Sequence, residues 1–350
     1  MTPAQSLLGW YDRHARHLPW RIPPQQSKRG ERQDPYKVWL SEIMLQQTTV
    51  QAVAPYYAAF IERWPTVGDL AKASDDDIRS AWAGLGYYRR AANLHKCAKV
   101  VAETGGHFPT TAAQLADLPG IGAYTSAAIA SIAFGEAVPV VDGNVERVFS
   151  RVFRLTSSGP KLKKEVTDKL RPLVPRDRPG DFAQATMDLG ATICTPRNPV
   201  CALCPLTSTC DAHRYGDAER FPVKEPKKAK PVRFGAAQVI VRPADGAIWC
   251  EKRPEDGLLP GMTQVPTSDW SASPAPVFDG ERIGTIQHVF THFALTLDVY
   301  RVASSKAPSD GGWWAGPEQI AKQAWPTVMI KVLRAALPER AESLRGGKGR

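Results

Sequence analysis

Four cysteines, Cys194, Cys201, Cys204 and Cys210, follow one another with the spacing C-x6-C-x2-C-x5-C. Thiols this close, in a chain with six cysteines in all, are the donor set of a metal or metal cluster rather than of a disulfide framework. Zinc sites pair two short C-x2-4-C knuckles. Only Cys201 and Cys204 form one here, so a structural zinc stands as the alternative to a larger cluster. Two carboxylates are candidates for acid and electrostatic work. Glu42 lies in DPYKVWLSEIMLQQTTV (34–50), where a helix puts it on one face with Val38, Trp39 and Leu45 and beside Gln46. An acid among large apolar neighbours loses hydration and keeps its proton closer to neutrality; a buried structural glutamate is the plain alternative. Asp142, in AVPVVDGNVERV (137–148), stands where a helix begins after Pro139. That place suits an N-cap and equally a carboxylate turned toward a substrate.

The stretch AAQLADLPGIGAYTSAAIASIAF (112–134) reads as helix, tight turn, helix. Gly120 and Gly122 are expected to take backbone angles closed to side chains. The second helix starts at the turn, and its free amides can hold phosphate oxygens. This LPGIGxYTxxAI context is the helix-hairpin-helix motif, whose contacts position a nucleic-acid backbone without reading sequence.

The elements that must carry these groups fall into two textures. Up to about residue 215 apolar residues recur at helical spacing, with starts such as Asp34–Pro35 and Ser74 that look capped. Residues 216–232 are rich in proline and lysine and read as a linker. From 233 to 345 come the alternating runs 236–242, 247–253 and 283–302, then a helix near 328–337, with RGGKGR (345–350) as a frayed tail. An all-α domain of residues 1–215 therefore precedes an α+β domain of residues 233–345. The 350 residues suit two domains. Apolar content of 43% excludes a wholly disordered chain. No apolar run approaches the roughly 18–20 residues of a membrane span, and the charged start MTPAQSLLGWYDRHARHLPWR does not read as a signal peptide. An unexported protein with no membrane partner is expected. Lys plus Arg total 45 against 35 acids; the net charge of +10 fits a polyanion partner without requiring one.

The cysteine spacing resembles the 4Fe-4S loop of the endonuclease III superfamily, and the whole chain resembles the MutY-type adenine DNA glycosylases. The likeness rests on LPWR (18–21), the Glu42 segment, GLGYYRRAANLHK (84–96), the hairpin, VDGNVERV and MDLGATIC (187–194). It implies a multi-domain enzyme: an all-α helix-hairpin-helix glycosylase domain with an iron–sulfur loop at 194–210, plus an α+β Nudix-like domain. The implied substrate is double-stranded DNA with adenine opposite 8-oxoguanine, and the implied protein is a monomer of the bacterial cytoplasm, associated with the nucleoid through DNA.

By the same resemblance Glu42 is the general acid and Asp142 the partner carboxylate, assisted by Tyr124 and Asn144. Trp20, Arg21, Leu45 and Asp188 form the adenine pocket, although Arg21 and Asp188 equally make a structural ion pair. Gln46, Gln47 and Tyr87 contact the opposite base and fill the vacated space, Gly120 and Gly122 hold the backbone, and Phe290, Thr291 and His292 sense 8-oxoguanine. On the residues alone, Gln46 and Gln47 are helix surface and Tyr87 is core. Lyases of the endonuclease III type carry a Schiff-base lysine two residues after the second hairpin glycine; here Tyr124 stands there, which favours a monofunctional enzyme. The other readings are such a lyase, or a non-catalytic iron–sulfur DNA-binding protein. The segment 257–270 lacks the glutamate-rich helix of a working Nudix hydrolase, so no pyrophosphatase activity is expected. The polar stretch PPQQSKRGERQ (23–33) reads as a solvated loop.

Overall fold

The structure, a computed structural model, describes residues 2–225, 229–254 and 256–340. Residues 226–228 of the expected linker, and the expected tail beyond 340, lie outside the described residues. The chain forms two compact units: Met1–Lys72 with Asn93–Lys227, and Ala73–Ala92 with Lys228–Arg350. Residues 73–92, which the sequence groups with the helical half, pack in the second unit.

Helices α1 (Pro3–His14), α2 (Pro24–Lys28), α3 (Pro35–Leu45), α4 (Val50–Arg63) and α5 (Val67–Lys72) open the chain. Then come α6 (Asp75–Trp82), α7 (Arg89–Glu103), α8 (Ala112–Leu115), α9 (Ala123–Phe134), α10 (Gly143–Val152), α11 (Gly159–Leu170), α12 (Pro179–Thr192) and α13 (Asp211–Arg214). Many starts are capped as the sequence indicates. Thr2 and Gln5 form a capping box, Asp34 accepts from the Tyr36 N–H at 2.9 Å, and Ser74 accepts from the Asp77 N–H. Gly135, at φ 76°, closes α9 as a left-handed cap.

The first unit is built around α9 and α12, in which every residue of 125–133 and of 179–190 is buried. Such all-round burial explains their alanine- and glycine-rich sequences, because small residues let backbones approach closely. A Cβ at Gly180 would lie 2.8 Å from the Ile132 Cα, and one at Gly190 would lie 2.6 Å from the Asn144 Cβ. Against this pair pack α3, on α9, and α1 and α10, on α12. The α3 residues Trp39, Leu40 and Met44 are fully buried, each contributing roughly 1.5–3 kcal/mol or more. The 23–33 stretch is largely exposed, as a solvated segment would be, but it is not a plain loop. It contains α2, Lys28 pairs with Asp12 at 2.6 Å, and buried Gln33 donates to Gln184 on α12 at 3.3 Å.

The second unit holds a mixed sheet of β1 (Val232–Val241), β2 (Ile248–Lys252), β3 (Thr263–Gln264), β4 (Glu281–Val289), β5 (Ala294–Ala303) and β6 (Gly312–Ala315). The order is β3-β2-β1-β5-β4, with β6 also on β2; β1 and β5 are parallel and the other pairs antiparallel. Two further helices, α14 (Pro317–Ile320) and α15 (Thr327–Ala336), complete the unit. Val328, Met329, Val332 and Leu333 of α15 are buried in the sheet's apolar core. The 283–302 run is two strands, β4 and β5, joined by a turn at 290–293. Among the described residues no helix is long and apolar enough to cross a membrane.

The glycine contacts predict opposite outcomes for one added methyl. Gly190→Ala forces α12 away from Asn144 and should cost about 1–3 kcal/mol in urea denaturation. Gly9→Ala, where a Cβ meets nothing within 4 Å inside α1, should be neutral or gain about 0.5–1 kcal/mol.

Candidate active site

Glu42, 7% exposed, lies in a run of seven consecutive buried residues of α3, Val38–Met44. Its Oε2 accepts a hydrogen bond from the Tyr124 hydroxyl at 2.8 Å, so the first turn of α9 supplies its partner. Burial pushes the Glu42 carboxyl up from 4.5 to about 7. The Tyr124 hydrogen bond opposes this rise, Asp142 adds to it and Arg21 subtracts. Tyr124 itself is held well above the ordinary tyrosine range, by burial first and by Glu42 second, and stays a hydrogen-bond donor.

Asp142 is the N-cap of α10. Its Oδ1 accepts from the Val145 N–H at 2.7 Å, and its Oδ2 accepts from the Asn144 amide at 3.0 Å. The N-cap reading of Asp142 holds, and the carboxylate fixed by the cap also acts electrostatically on Glu42 and Tyr124. Asn144 is fixed in turn by Arg147, whose Nη2 donates to the Asn144 Oδ1 at 2.8 Å and to the Gly190 carbonyl at 2.7 Å. The Arg147 Nε donates to the Cys194 carbonyl at 2.8 Å. One turn later, Arg151 is 1% exposed and donates to the Cys194 Sγ at 3.3 Å and to the carbonyls of Thr195, Pro196 and Phe221. Sequence reasoning missed both arginines. The available signal was Arg151 in an otherwise apolar α10 stripe with Val148 and Val152.

Of the expected base-pocket residues, Trp20 is buried edge-on against Tyr57, with ring centroids 5.3 Å apart, and Leu45 is half-buried. Arg21 and Asp188 are an ion pair: the Arg21 Nη1 donates to both Asp188 oxygens at 2.9 and 2.8 Å. Asp188 is fully buried and also accepts from the Arg16 N–H and Nε. Its oxygens are thus engaged by two arginines. Asp188 holds the 16–21 segment that carries Trp20 and Arg21, and Arg16 is a further residue that the sequence reading missed.

At the hairpin, Gly120 has φ 76° and sits against Asn93, where a Cβ would lie 2.6 Å from the Asn93 Cβ. Gly122 differs from expectation: its φ of −92° is open to any residue, and a Cβ there would meet nothing within 4 Å. Its side stays clear, and it caps α9 without a side-chain bond, leaving the first α9 amides without a side-chain acceptor from the cap. Helix α3 ends at Leu45, so Gln46 is its C-cap and donates to the Thr125 hydroxyl at 3.2 Å, while Gln47 is exposed with φ 58°. Neither glutamine lies on the helix surface.

Tyr87, in the second unit, is 48% exposed with φ 50°, not a core residue. The Arg90 guanidinium lies 5.3 Å from both its ring and the Trp82 ring. Phe290 is half-buried, whereas Thr291 and His292 are exposed at the tip of the β4–β5 turn.

The four cysteines line one hollow together with Val148, Arg151 and His213. Among the described residues, no three His, Cys, Asp or Glu side chains group closely enough for a single metal ion. Burial pushes the Cys204 thiol up to about 11, so the protein alone does not keep it a thiolate. Four thiols around one shared hollow are a donor set that suits a metal group held by four thiolates.

Helical unit, hairpin and carboxylate pair define a base-excision glycosylase fold, here with a Nudix-type domain. The family described as HhH-GPD superfamily base excision DNA repair protein matches residues 40–176, and the NUDIX domain family matches residues 237–335. The chain belongs to the adenine DNA glycosylase family: it is 36% identical to the adenine DNA glycosylase of Homo sapiens over an alignment covering 98% of this chain and 75% of that protein. It is accordingly a DNA glycosylase, a hydrolase of N-glycosyl bonds. A thermostable thymine-DNA glycosylase structure matches with a TM-score of 0.52 at 30% identity, covering 61% of this chain and 95% of that one. A non-covalent endonuclease III–DNA complex matches at 0.51 and 20% identity, covering 62% and 98%, and shows the shared fold.

The raised Glu42 carboxyl has a consequence for stability. Folded Glu42 keeps its proton up to about pH 7, whereas the unfolded group releases it near 4.5. Stability contributed by this group is therefore complete below about pH 4.5, is lost as pH rises to about 7, and is level above. Glu42→Gln should be more stable than the parent by on the order of 3 kcal/mol at pH 8, with the gain vanishing near pH 4. Urea denaturation at the two pH values checks this.

Proposed function

We propose that the enzyme removes adenine mispaired with 8-oxoguanine, or with guanine, from duplex DNA, as a monomer and without lyase activity. The observation that carries the reading is the buried Glu42 carboxyl, bonded to Tyr124 and under the influence of Asp142. The target adenine leaves the stack, at a cost of roughly a few kcal/mol, and enters the space beside Trp20, Leu45 and Arg21. Glu42, protonated up to about pH 7, gives its proton to adenine N7 and turns the base into a neutral leaving group. The C1′–N9 bond breaks with oxocarbenium character, and the Asp142 carboxylate stabilises the cation across a water-poor site. Asn144 and Arg147 keep Asp142 in place, and Tyr124 orients the Glu42 carboxyl beside the sugar. Water adds to C1′ and leaves an abasic site. Tyr124 offers no amine for a Schiff base.

On the strand left behind, Gln46, Gln47 and Tyr87 contact the opposite base and fill the gap, while the α9 amides beside Gly120 and Gly122 hold phosphate. The exposed Thr291 and His292 read 8-oxoguanine, with the Thr291 hydroxyl as donor or acceptor. A 4Fe-4S cluster held by Cys194, Cys201, Cys204 and Cys210 would serve as a structural crosslink of the loop. Arg151 and Arg147 already brace that loop against α10.

Duplexes carrying adenine opposite 8-oxoguanine, guanine, cytosine or thymine test the substrate. Release confined to the first two is expected, with loss of at least about 100-fold in Glu42→Gln and a rate that falls as pH rises through about 7. Excision of oxidised pyrimidines with a borohydride-trapped adduct would instead indicate a lyase. Analysis of purified protein should give about four iron and four sulfide per chain; one zinc per chain would replace the cluster assignment.

A further inference from the structure

We propose that Lys230, just before β1, is a positioning residue for the turn at 290–293, and that with Pro231 it clamps this turn from both ends and so sets discrimination of the base opposite adenine. The inference rests on the reading that Thr291 and His292 contact that base.

The clamp is made of three hydrogen bonds. The Lys230 Nζ donates to the Phe290 carbonyl at 2.7 Å, on the incoming side of the turn. On the outgoing side, the Ala294 N–H donates to the Pro231 carbonyl at 2.9 Å. Between them the Phe290 N–H donates to the Phe293 carbonyl at 2.8 Å and closes the turn. Two adjacent residues, 60 positions away in sequence, therefore hold both ends of a four-residue connection.

The side chains complete the anchoring. The Phe290 ring stacks on Trp270, with centroids 5.6 Å apart, lies 4.8 Å from Phe293 and meets His288 edge-on at 4.5 Å. The Arg253 guanidinium is 4.8 Å from the Trp270 centroid and is itself fixed by the Leu258 carbonyl and the Gln264 side chain. Arg233 covers Phe293 at 4.4 Å. With Phe290 held in this way, Thr291 and His292 are the exposed members of the motif. Phe290 thus acts as the turn's anchor, not as a reader. Telling 8-oxoguanine from guanine is a matter of one or two hydrogen bonds, so the turn must be held to within about 0.5 Å. The ammonium of Lys230 supplies a charge-assisted bond to its main chain.

The test uses the full-length protein, Lys230→Met, Lys230→Arg and, as an independent loosening of the same turn, Trp270→Leu. Single-turnover adenine release is measured opposite 8-oxoguanine and opposite guanine, with amide hydrogen exchange across 290–294. Lys230→Met should slow release opposite 8-oxoguanine about fivefold, leave release opposite guanine within about twofold, and speed exchange in the turn. Lys230→Arg should restore all three, and Trp270→Leu should reproduce the selective loss. An equal loss on both duplexes with a shallower salt dependence would make Lys230 a phosphate contact and overturn the proposal, as would unchanged rates and exchange. A parent enzyme with no preference for 8-oxoguanine would remove the underlying reading, together with this inference. A parental preference that persists in Lys230→Met removes the inference alone.

Discussion

A carboxyl group buried without a bonded cation is the constraint around which the first unit is arranged. Placing Glu42 in the apolar face of α3 costs hydration, and the cost is borne by keeping the proton. The surroundings have to supply one hydrogen bond without supplying a full counter-charge. Tyr124 does the first. Asp188 does the second indirectly: it engages Arg21 and Arg16, so the Arg21 guanidinium is bonded to another carboxylate and acts on Glu42 without a bond to it. An arginine bonded directly to Glu42 would ionise it and remove the acid. The ion pair at Arg21–Asp188 is structural in its bonds, and on the proposed function it also leaves Glu42 its proton.

Helix α10 carries the second half of the arrangement. Asp142 caps it, Asn144 and Arg147 follow in its first turns, and Arg151 lies one turn on. Through Asn144 and Arg147 a series of hydrogen bonds runs from the Asp142 carboxylate to the Cys194 carbonyl, and Arg151 separately donates to the Cys194 sulfur. Gly190 lets α12 lie against the start of this helix, so a methyl there presses on the residue that orients Asp142. Fold stability and site geometry meet at the same contact. Arginines suit the task because a guanidinium can serve several carbonyls at fixed angles.

Much of this was legible in the chain because each feature has a local cause. Asp34, Ser74 and Asp142 read as caps from residue type and position, and each caps its helix. The apolar flanks of Glu42 foretold its burial. What escaped the sequence is non-local. Arg16, Arg147 and Arg151 have bonded partners on other elements, and an isolated arginine carries no sign of them. Gly122 was misread because its conformation is ordinary and its side faces open space. Gln46 and Gln47 were placed on a helix that in fact ends at Leu45; no glycine or proline marks that end, and Gln47 takes φ 58° with a full side chain. The strand β6 is four residues long and depends on its pairing with β2, so period alone could not reveal it.

The two surfaces assigned to the opposite strand in the second unit share one physical construction. Tyr87 rises from a loop whose base is a sandwich, with Arg90 between the Trp82 and Tyr87 rings and bonded toward the Leu85 and Gly86 carbonyls. Thr291 and His292 rise from a turn whose base is Arg253, Trp270 and Phe290 in succession. In each, an exposed tip lies over a cation placed on aromatic rings, an arrangement that, on the proposed function, would order the tip before DNA arrives and spare ordering entropy at binding. The same arginines count toward the net charge of +10. Arg151 is buried, Arg90 and Arg253 are half-buried, and all three are committed to internal partners, so the charge overstates what is free to attract phosphate. On the proposed function, recognition rests on where a few internally committed cations hold the backbone, and the solvent-exposed lysines and arginines supply the sequence-blind attraction.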